Sequence, residues 1–197
     1  MFRPTPSAAY ELALASSKHR HAAGKTFSGS LMRPFADLIK NLIVAHDCKT
    51  VLDYGCGKGK QYEWVSERGD IVPVGMTIEE HWGLTVTKYD PAYPMFSAEP
   101  RGKFDLVVCT NTLGVIPIAD LPWVIDRLYS LASKALFISE QLGRPSKKLA
   151  FSDATVFPRM WTEDQWHAVV HREGSPIHVA MQLINMSDKL TKTQVVQ

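Results

Sequence analysis

Apolar positions along this chain keep changing their period. Between residues 31 and 45, Phe35, Leu38, Ile39, Leu42 and Ile43 recur at helical spacing. Residues 50–54 form a short apolar run that reads as a strand, and a helix is expected over about 58–68. Gly69-Asp70 breaks that helix, with a short strand expected at 71–74 and a helical or irregular stretch at 77–82. Residues 84–89 alternate as a strand does and stop at Asp90-Pro91. The run 104–110 is strongly apolar, hence a buried strand, and 135–140 repeats that pattern. Between them Asp120 is expected to cap a helix reaching Ala132, with Pro122 in its first turn. Thr162 is expected to cap a helix to about Glu173, with Glu163 and Asp164 near its positive end. Residues 177–184 read as the last strand.

The remaining segments are punctuation. Residues 1–6 are Pro-rich, and Ser7 can cap a helix over 8–21. Residues 24–30 form a Gly/Ser loop holding one aromatic, Phe27. Residues 91–103, with three prolines and a glycine, read as a loop, 143–157 as a basic insertion and 186–197 as a polar tail.

Buried strands alternating with helices predict an α/β fold, a doubly wound and mostly parallel sheet covered on both faces. Ligands of such sheets bind beyond the carboxyl ends of the strands. Asp53, Asp90, Thr110, Asn111 and Glu140 stand at predicted strand ends and should gather along that edge. With 197 residues, a single domain is expected: an N-terminal helix and lid over 1–34, a core over 35–185 and a tail over 186–197. Tyr10 and the 24–30 loop are the elements expected to close over the site.

Composition narrows the class. The chain is 45% hydrophobic and 21% charged, as ordinary globular proteins are. A net charge of +2 is far from the strongly basic balance of nucleic-acid binders. The basic run Lys18-His-Arg-His21, with Lys25 and Arg33, reads as a solvated helix end. Cys48, Cys56 and Cys109 form no C-x-x-C pair, so no metal is expected and a reducing, cytoplasmic setting is. No apolar run is long enough to span a membrane.

The most specific stretch is Val51-Leu-Asp-Tyr-Gly-Cys-Gly-Lys-Gly-Lys60. Three alternate glycines after a strand let a ligand approach the backbone. A dinucleotide site needs G-x-G-x-x-G, whereas here the third glycine comes one position early. A nucleotide P-loop needs Gly-Lys-Ser/Thr, whereas Gln61 follows Lys60. The carboxylate of Asp53 would repel a pyrophosphate and favour a cationic ligand by on the order of a few kcal/mol. A turn that binds nothing is the plain structural alternative.

This first motif resembles that of class I S-adenosylmethionine (SAM)-dependent methyltransferases. Lys103-Phe-Asp-Leu-Val-Val-Cys-Thr110 resembles the family's fourth-strand motif, and Asn111-Thr-Leu-Gly-Val-Ile-Pro117 the segment after it. The resemblance covers roughly residues 35–185. It implies SAM as cofactor, with Asp53 and Tyr54 near the methionyl end and Gly55, Cys56 and Gly57 against the cofactor. It further implies that Thr110, Asn111 and Leu113 border it. An acid after the second strand would accept from the ribose hydroxyls, and Asp90 is the candidate. Asp90 lies further along than the family pattern expects, so either an insertion precedes it and the third strand is reduced, or Asp90 ends the third strand instead; the 13-residue gap before Phe104 favours the first.

The acceptor is less legible. Asp90-Pro-Ala-Tyr93 approaches the Asp/Asn-Pro-Pro-aromatic signature of DNA amino-methylation, but it stands after the wrong strand and reads as a turn. No cysteine follows a proline, as a cytosine C5 enzyme would need. A small molecule or sugar is therefore favoured over nucleic acid or protein. A catalytically inert SAM-binding subunit and an NAD-dependent oxidoreductase are the other readings. His81 beside Trp82 is a candidate base, set against a surface histidine beside a packing tryptophan. Glu163, His167 and His171 share a helical face that reads as solvated rather than metal-binding.

Overall fold

The computed structural model describes residues 5–24, 26–142, 158, 161–185 and 191–196. The helices are α1 (Ala8–Ala22), α2 (Ala36–Ala45), α3 (Lys60–Glu63), α4 (Ile78–Trp82), α5 (Leu121–Leu131) and α6 (Glu163–Val170). The strands are β1 (Val51–Tyr54), β2 (Val86–Tyr89), β3 (Phe104–Thr110), β4 (Ala132–Leu142), β5 (His178–Asn185) and β6 (Thr191–Val196). They form one sheet in the order β2-β1-β3-β4-β5-β6. The first five are parallel and β6 runs antiparallel to β5. The expected doubly wound, Rossmann-like architecture is present.

Side-chain alternation along the strands builds two cores. Leu52, Val107, Cys109, Leu136 and Ile138 face α5, α6 and Tyr10 of α1. Val51, Leu106, Val108, Ala135 and Phe137 face α2 and α4. Both layers are buried, and the central strands are therefore mostly apolar on both faces.

Several elements differ from the sequence expectation. The helix expected over 58–68 is only the turn α3, because Trp64 leaves helical backbone at ψ 132°. Residues 71–74 form no strand. The carbonyl of Val72 accepts from the Ser66 hydroxyl at 2.6 Å, Pro73 has no N–H, and Val72 plugs the core instead. Among the described residues nothing pairs with the outer edge of β2, so Asp90 follows the second strand and the third is missing. Asp120 does not cap α5 with its side chain; its carboxylate accepts from the Ser7 N–H at 2.8 Å and hydroxyl at 2.5 Å, fastening the start of α1. Within the expected tail, residues 191–196 are strand β6. The 143–157 insertion lies outside the described residues. Among the described residues no helix is long and apolar enough to cross a membrane.

Candidate functional site

Strand β1 leads to β2 on one side, while β3 lies on the other. The connections therefore diverge between β1 and β3, opening a crevice at the carboxyl ends of the strands. A cleft of about 290 Å³ occupies it. Its floor is Gly55–Gly57 after β1, Asp90–Ala92 after β2 and Thr110–Thr112 after β3. Its roof is the inner face of α1 (Tyr10, Ala13, Leu14, Ser17, His21) with residues 27–31. Tyr10 and residues 27–30 of the Gly/Ser loop thus line the cleft.

The loop is seated directly on the glycine turn. The carbonyls of Phe27, Ser28 and Gly29 accept from the N–H groups of Lys58, Lys60 and Gln61 at 2.9, 3.0 and 3.1 Å. The carbonyl of Tyr89 accepts from Gly55 and Cys56, and that of Cys56 from Gly59. Asp90 Oδ2 accepts from Gly57 at 2.9 Å. Every backbone N–H from residue 55 to 61 therefore already has a protein acceptor. An anion bound here would find no free donor in the turn, which is what a phosphate cradle must supply. Space leads to the same docking: a Cβ on Gly57 would stand 2.6 Å from the Phe27 carbonyl oxygen.

Asp90 organises the β2 side. Its second oxygen accepts from Ala92 at 2.8 Å, closing the turn through Tyr93. His21 of α1 lies above it, Nε2 to Oδ2 at 3.7 Å, with its ring against Phe27 and Tyr93. Burial pushes the Asp90 carboxyl up and the His21 imidazole down, although each partner opposes the other's shift. His21 is buried, so the solvated-helix-end reading fails for it. Arg20 stacks on Phe27 and Arg33 on Trp64, which places those cations against rings. Lys25 lies outside the described residues.

Asp53 sits behind the turn rather than on the cleft wall. It shares a sheet face with Val51 and is fully buried. Its Oδ2 accepts from Gln61 Nε2 at 2.7 Å and from the Tyr62 hydroxyl at 2.9 Å, holding α3. Gln61, rather than Asp53, reaches the cleft wall. Burial drives the Asp53 carboxyl up to about 7, against the pull of those two hydrogen bonds. Tyr54 and Leu113 are buried in the core beneath the cleft, whereas Gly55, Cys56, Gly57, Thr110 and Asn111 line it.

Glu140 ends up under the floor. It accepts from the N–H groups of Leu113 at 2.6 Å and Gly114 at 3.3 Å, fixing the turn after β3. Burial raises its carboxyl to about 8. Carboxyls raised in the fold from ordinary values near 4 favour folding most at low pH. That contribution is lost as pH rises through about 7 for Asp53 and about 8 for Glu140. His21 and His178, lowered by burial, act oppositely, but their contribution is fully present above their ordinary value of 6.5. Stability should therefore fall between pH 6.5 and 8.5, by on the order of 1–2 kcal/mol. Scanning calorimetry across that range checks this. Glu140→Gln should flatten the slope, and an unchanged slope would contradict the assignment.

His81 is away from the cleft. Its Nε2 meets Asp37 Oδ1 at 2.7 Å and its Nδ1 meets Lys40 at 3.4 Å, joining α4 to α2. Trp82 assists by donating to the Ala36 carbonyl at 2.9 Å. Among the described residues no three His, Cys, Asp or Glu side chains are grouped to hold a metal. Trp161 and Trp166 pack edge to face, 5.1 Å between centroids.

Sequence reasoning missed His21 and Gln61. Gln61 stood only as the residue that spoils a P-loop, and His21 was absorbed into a basic run. Backbone strain also collects here. Of the three non-glycine residues at positive φ among those described, Phe27 (56°) and Asn111 (51°) line the cleft. Such conformations persist where surrounding structure enforces them, often at functional sites. The family model described as a methyltransferase domain matches residues 16–186. No curated protein and no solved structure matches the chain.

Proposed function

Because the chain belongs to the methyltransferase-domain family, we propose that it moves a methyl group from SAM to a small-molecule acceptor. The observation that carries the choice of donor is the saturation of every N–H from residue 55 to 61. A dinucleotide or nucleoside triphosphate brings phosphates that need those donors. SAM brings a sulfonium and an ammonium, which ask instead for acceptors. For the ribose hydroxyls of SAM the cleft wall holds the Asp90 carboxylate, and the buried side-chain oxygen of Gln61 behind the wall has no partner within the protein.

When bound, SAM supplies a methyl carbon already activated for transfer. The chain's own task is then placement and shielding. Asp90, fixed by Gly57 and Ala92, keeps lone pairs for the ribose hydroxyls. Gly55–Gly57 would lie under the cofactor, and Thr110 and Asn111 beside it. Asp53 supports Gln61 from behind. The helix α1 and residues 27–31 exclude water from the reacting centre. His21 lines the same cleft, and burial lowers its imidazole below the ordinary histidine range against the pull of Asp90.

Calorimetry should give micromolar binding of SAM and S-adenosylhomocysteine, with NADH and ATP at least a hundredfold weaker. Labelled methyl should pass from SAM into a small-molecule fraction of a cell extract. Comparable binding of NADH would overturn the donor assignment. Binding without transfer to any fraction would favour an inert SAM-binding subunit, and label appearing only in nucleic acid would overturn the acceptor class.

A further inference from the structure

The cleft has two chemically different halves. The floor beneath Asp90 and the glycine turn is polar. The other half lies between α1 and the turn after β3. Ala13 and Leu14 of α1, Val115 and Ile116 after β3, and Leu31 all line the cleft. Tyr10 and Ser17 bring its side-chain hydroxyls from the same helix. Among the described residues no lysine or arginine lines the cleft, and the one carboxylate that does, Asp90, lies on the floor. Tyr10 is held up to about 12 by burial and so stays an uncharged phenol at neutral pH.

These walls discriminate among acceptors by what each would lose on leaving water. A phosphorylated or carboxylated molecule would give up its hydration and meet no cation. A sugar carries a hydroxyl on nearly every carbon, whereas the Thr112 hydroxyl on this lining is already bonded to the Gly55 and Thr110 carbonyls and those of Ser28 and Ser30 to each other, which leaves few to answer them. An uncharged molecule that is mostly hydrocarbon gains from burial against Leu14, Leu31, Val115 and Ile116. A single polar group can be met by Tyr10 or Ser17.

Building on the assignment of the polar half to SAM, we propose that the apolar half is the acceptor subsite. It takes an uncharged, mostly apolar small molecule and rejects sugars and anions. The sidedness of α1 follows from this. Leu14 faces the cleft, whereas Leu12, two residues earlier, is 73% exposed on the outer surface.

The test uses the full chain and 2-naphthol as an uncharged aromatic probe, followed by its own fluorescence, with methyl glucoside and naphthyl phosphate as competitors. S-adenosylhomocysteine binding is measured separately by calorimetry. Wild type should bind 2-naphthol saturably, and neither competitor should displace it. Leu14→Asp should weaken the probe at least tenfold while leaving S-adenosylhomocysteine within about threefold. Leu12→Asp should alter neither. Leu14→Trp, which fills the space without adding charge, should also exclude the probe and covers the case in which Leu14→Asp melts. The subsite is overturned if 2-naphthol fails to bind wild type, if folded Leu14→Trp binds it as wild type does, or if methyl glucoside displaces it. Loss of the donor reading would show differently, as absent S-adenosylhomocysteine binding beside intact, Leu14-dependent binding of 2-naphthol.

Discussion

Gly29→Ala is expected to unseat the loop from the glycine turn and to weaken S-adenosylhomocysteine by more than tenfold. Gly29 holds φ at +73°, and a side chain there would enter the space of the Cys56 carbonyl oxygen. That oxygen belongs to a turn whose own hydrogen bonds fix it, so it cannot retreat cheaply. The left-handed backbone costs about 1–2 kcal/mol for a residue with a Cβ. The overlap adds about 1–3 kcal/mol. Stability should fall by about 2–5 kcal/mol, or less where the loop lifts away and water replaces its carbonyls. Departure of the loop would also remove Phe27 from the His21 ring. Gly75→Ala is the control: φ there is +82°, but nothing lies within 4 Å of a new Cβ. It should cost only the backbone penalty of about 1–2 kcal/mol and leave ligand affinity intact. Calorimetry on both variants decides. Equal behaviour of the two would mean that the loop's seat on the turn has no energetic weight.

The second large effect is expected at Asp90. Asp90→Ala removes the acceptor for the N–H groups of Gly57 and Ala92. Each donor left buried without a partner costs about 1–3 kcal/mol. The variant also removes the carboxylate proposed to meet the ribose. Affinity for S-adenosylhomocysteine should drop about a hundredfold or more, and melting should come several degrees earlier. Asp90→Asn keeps one carbonyl oxygen, so it should recover part of the stability while affinity stays low. This split separates the two roles: scaffolding tolerates one acceptor, whereas two ribose hydroxyls ask for a carboxylate. Undiminished affinity in folded Asp90→Ala would remove Asp90 from the ligand site.

Much of the sheet was readable because buried strands announce themselves. Residues 104–110 and 135–140 are apolar on both faces, and covering helices are the physical route to that. Where the chain is punctuated by side-chain hydrogen bonds, reading failed. Residues 71–74 look extended in composition, yet Ser66 takes the Val72 carbonyl and the segment folds back. The tail looked polar because Thr191, Lys192, Thr193 and Gln194 lower its hydropathy, although an edge strand needs only backbone pairing with β5. His21 was hidden for a related reason: its neighbours are charged, and burial of one residue in a basic run depends on what packs over it.

The sequence by itself determined the layered α/β fold and the edge of the sheet where chemistry collects. It also determined the glycine turn that borders the cleft. These follow from periodicity and glycine spacing, which are local. Only the tertiary structure decided what that turn can hold. Carbonyls from residues 27–29, about thirty positions away in the chain, fill the donors that a phosphate would need. It likewise moved Asp53 behind the wall, brought His21 over Asp90 and placed an apolar helix face opposite the floor. Hydrogen-bond saturation and burial are properties of contacts between distant segments, and no local pattern encodes them.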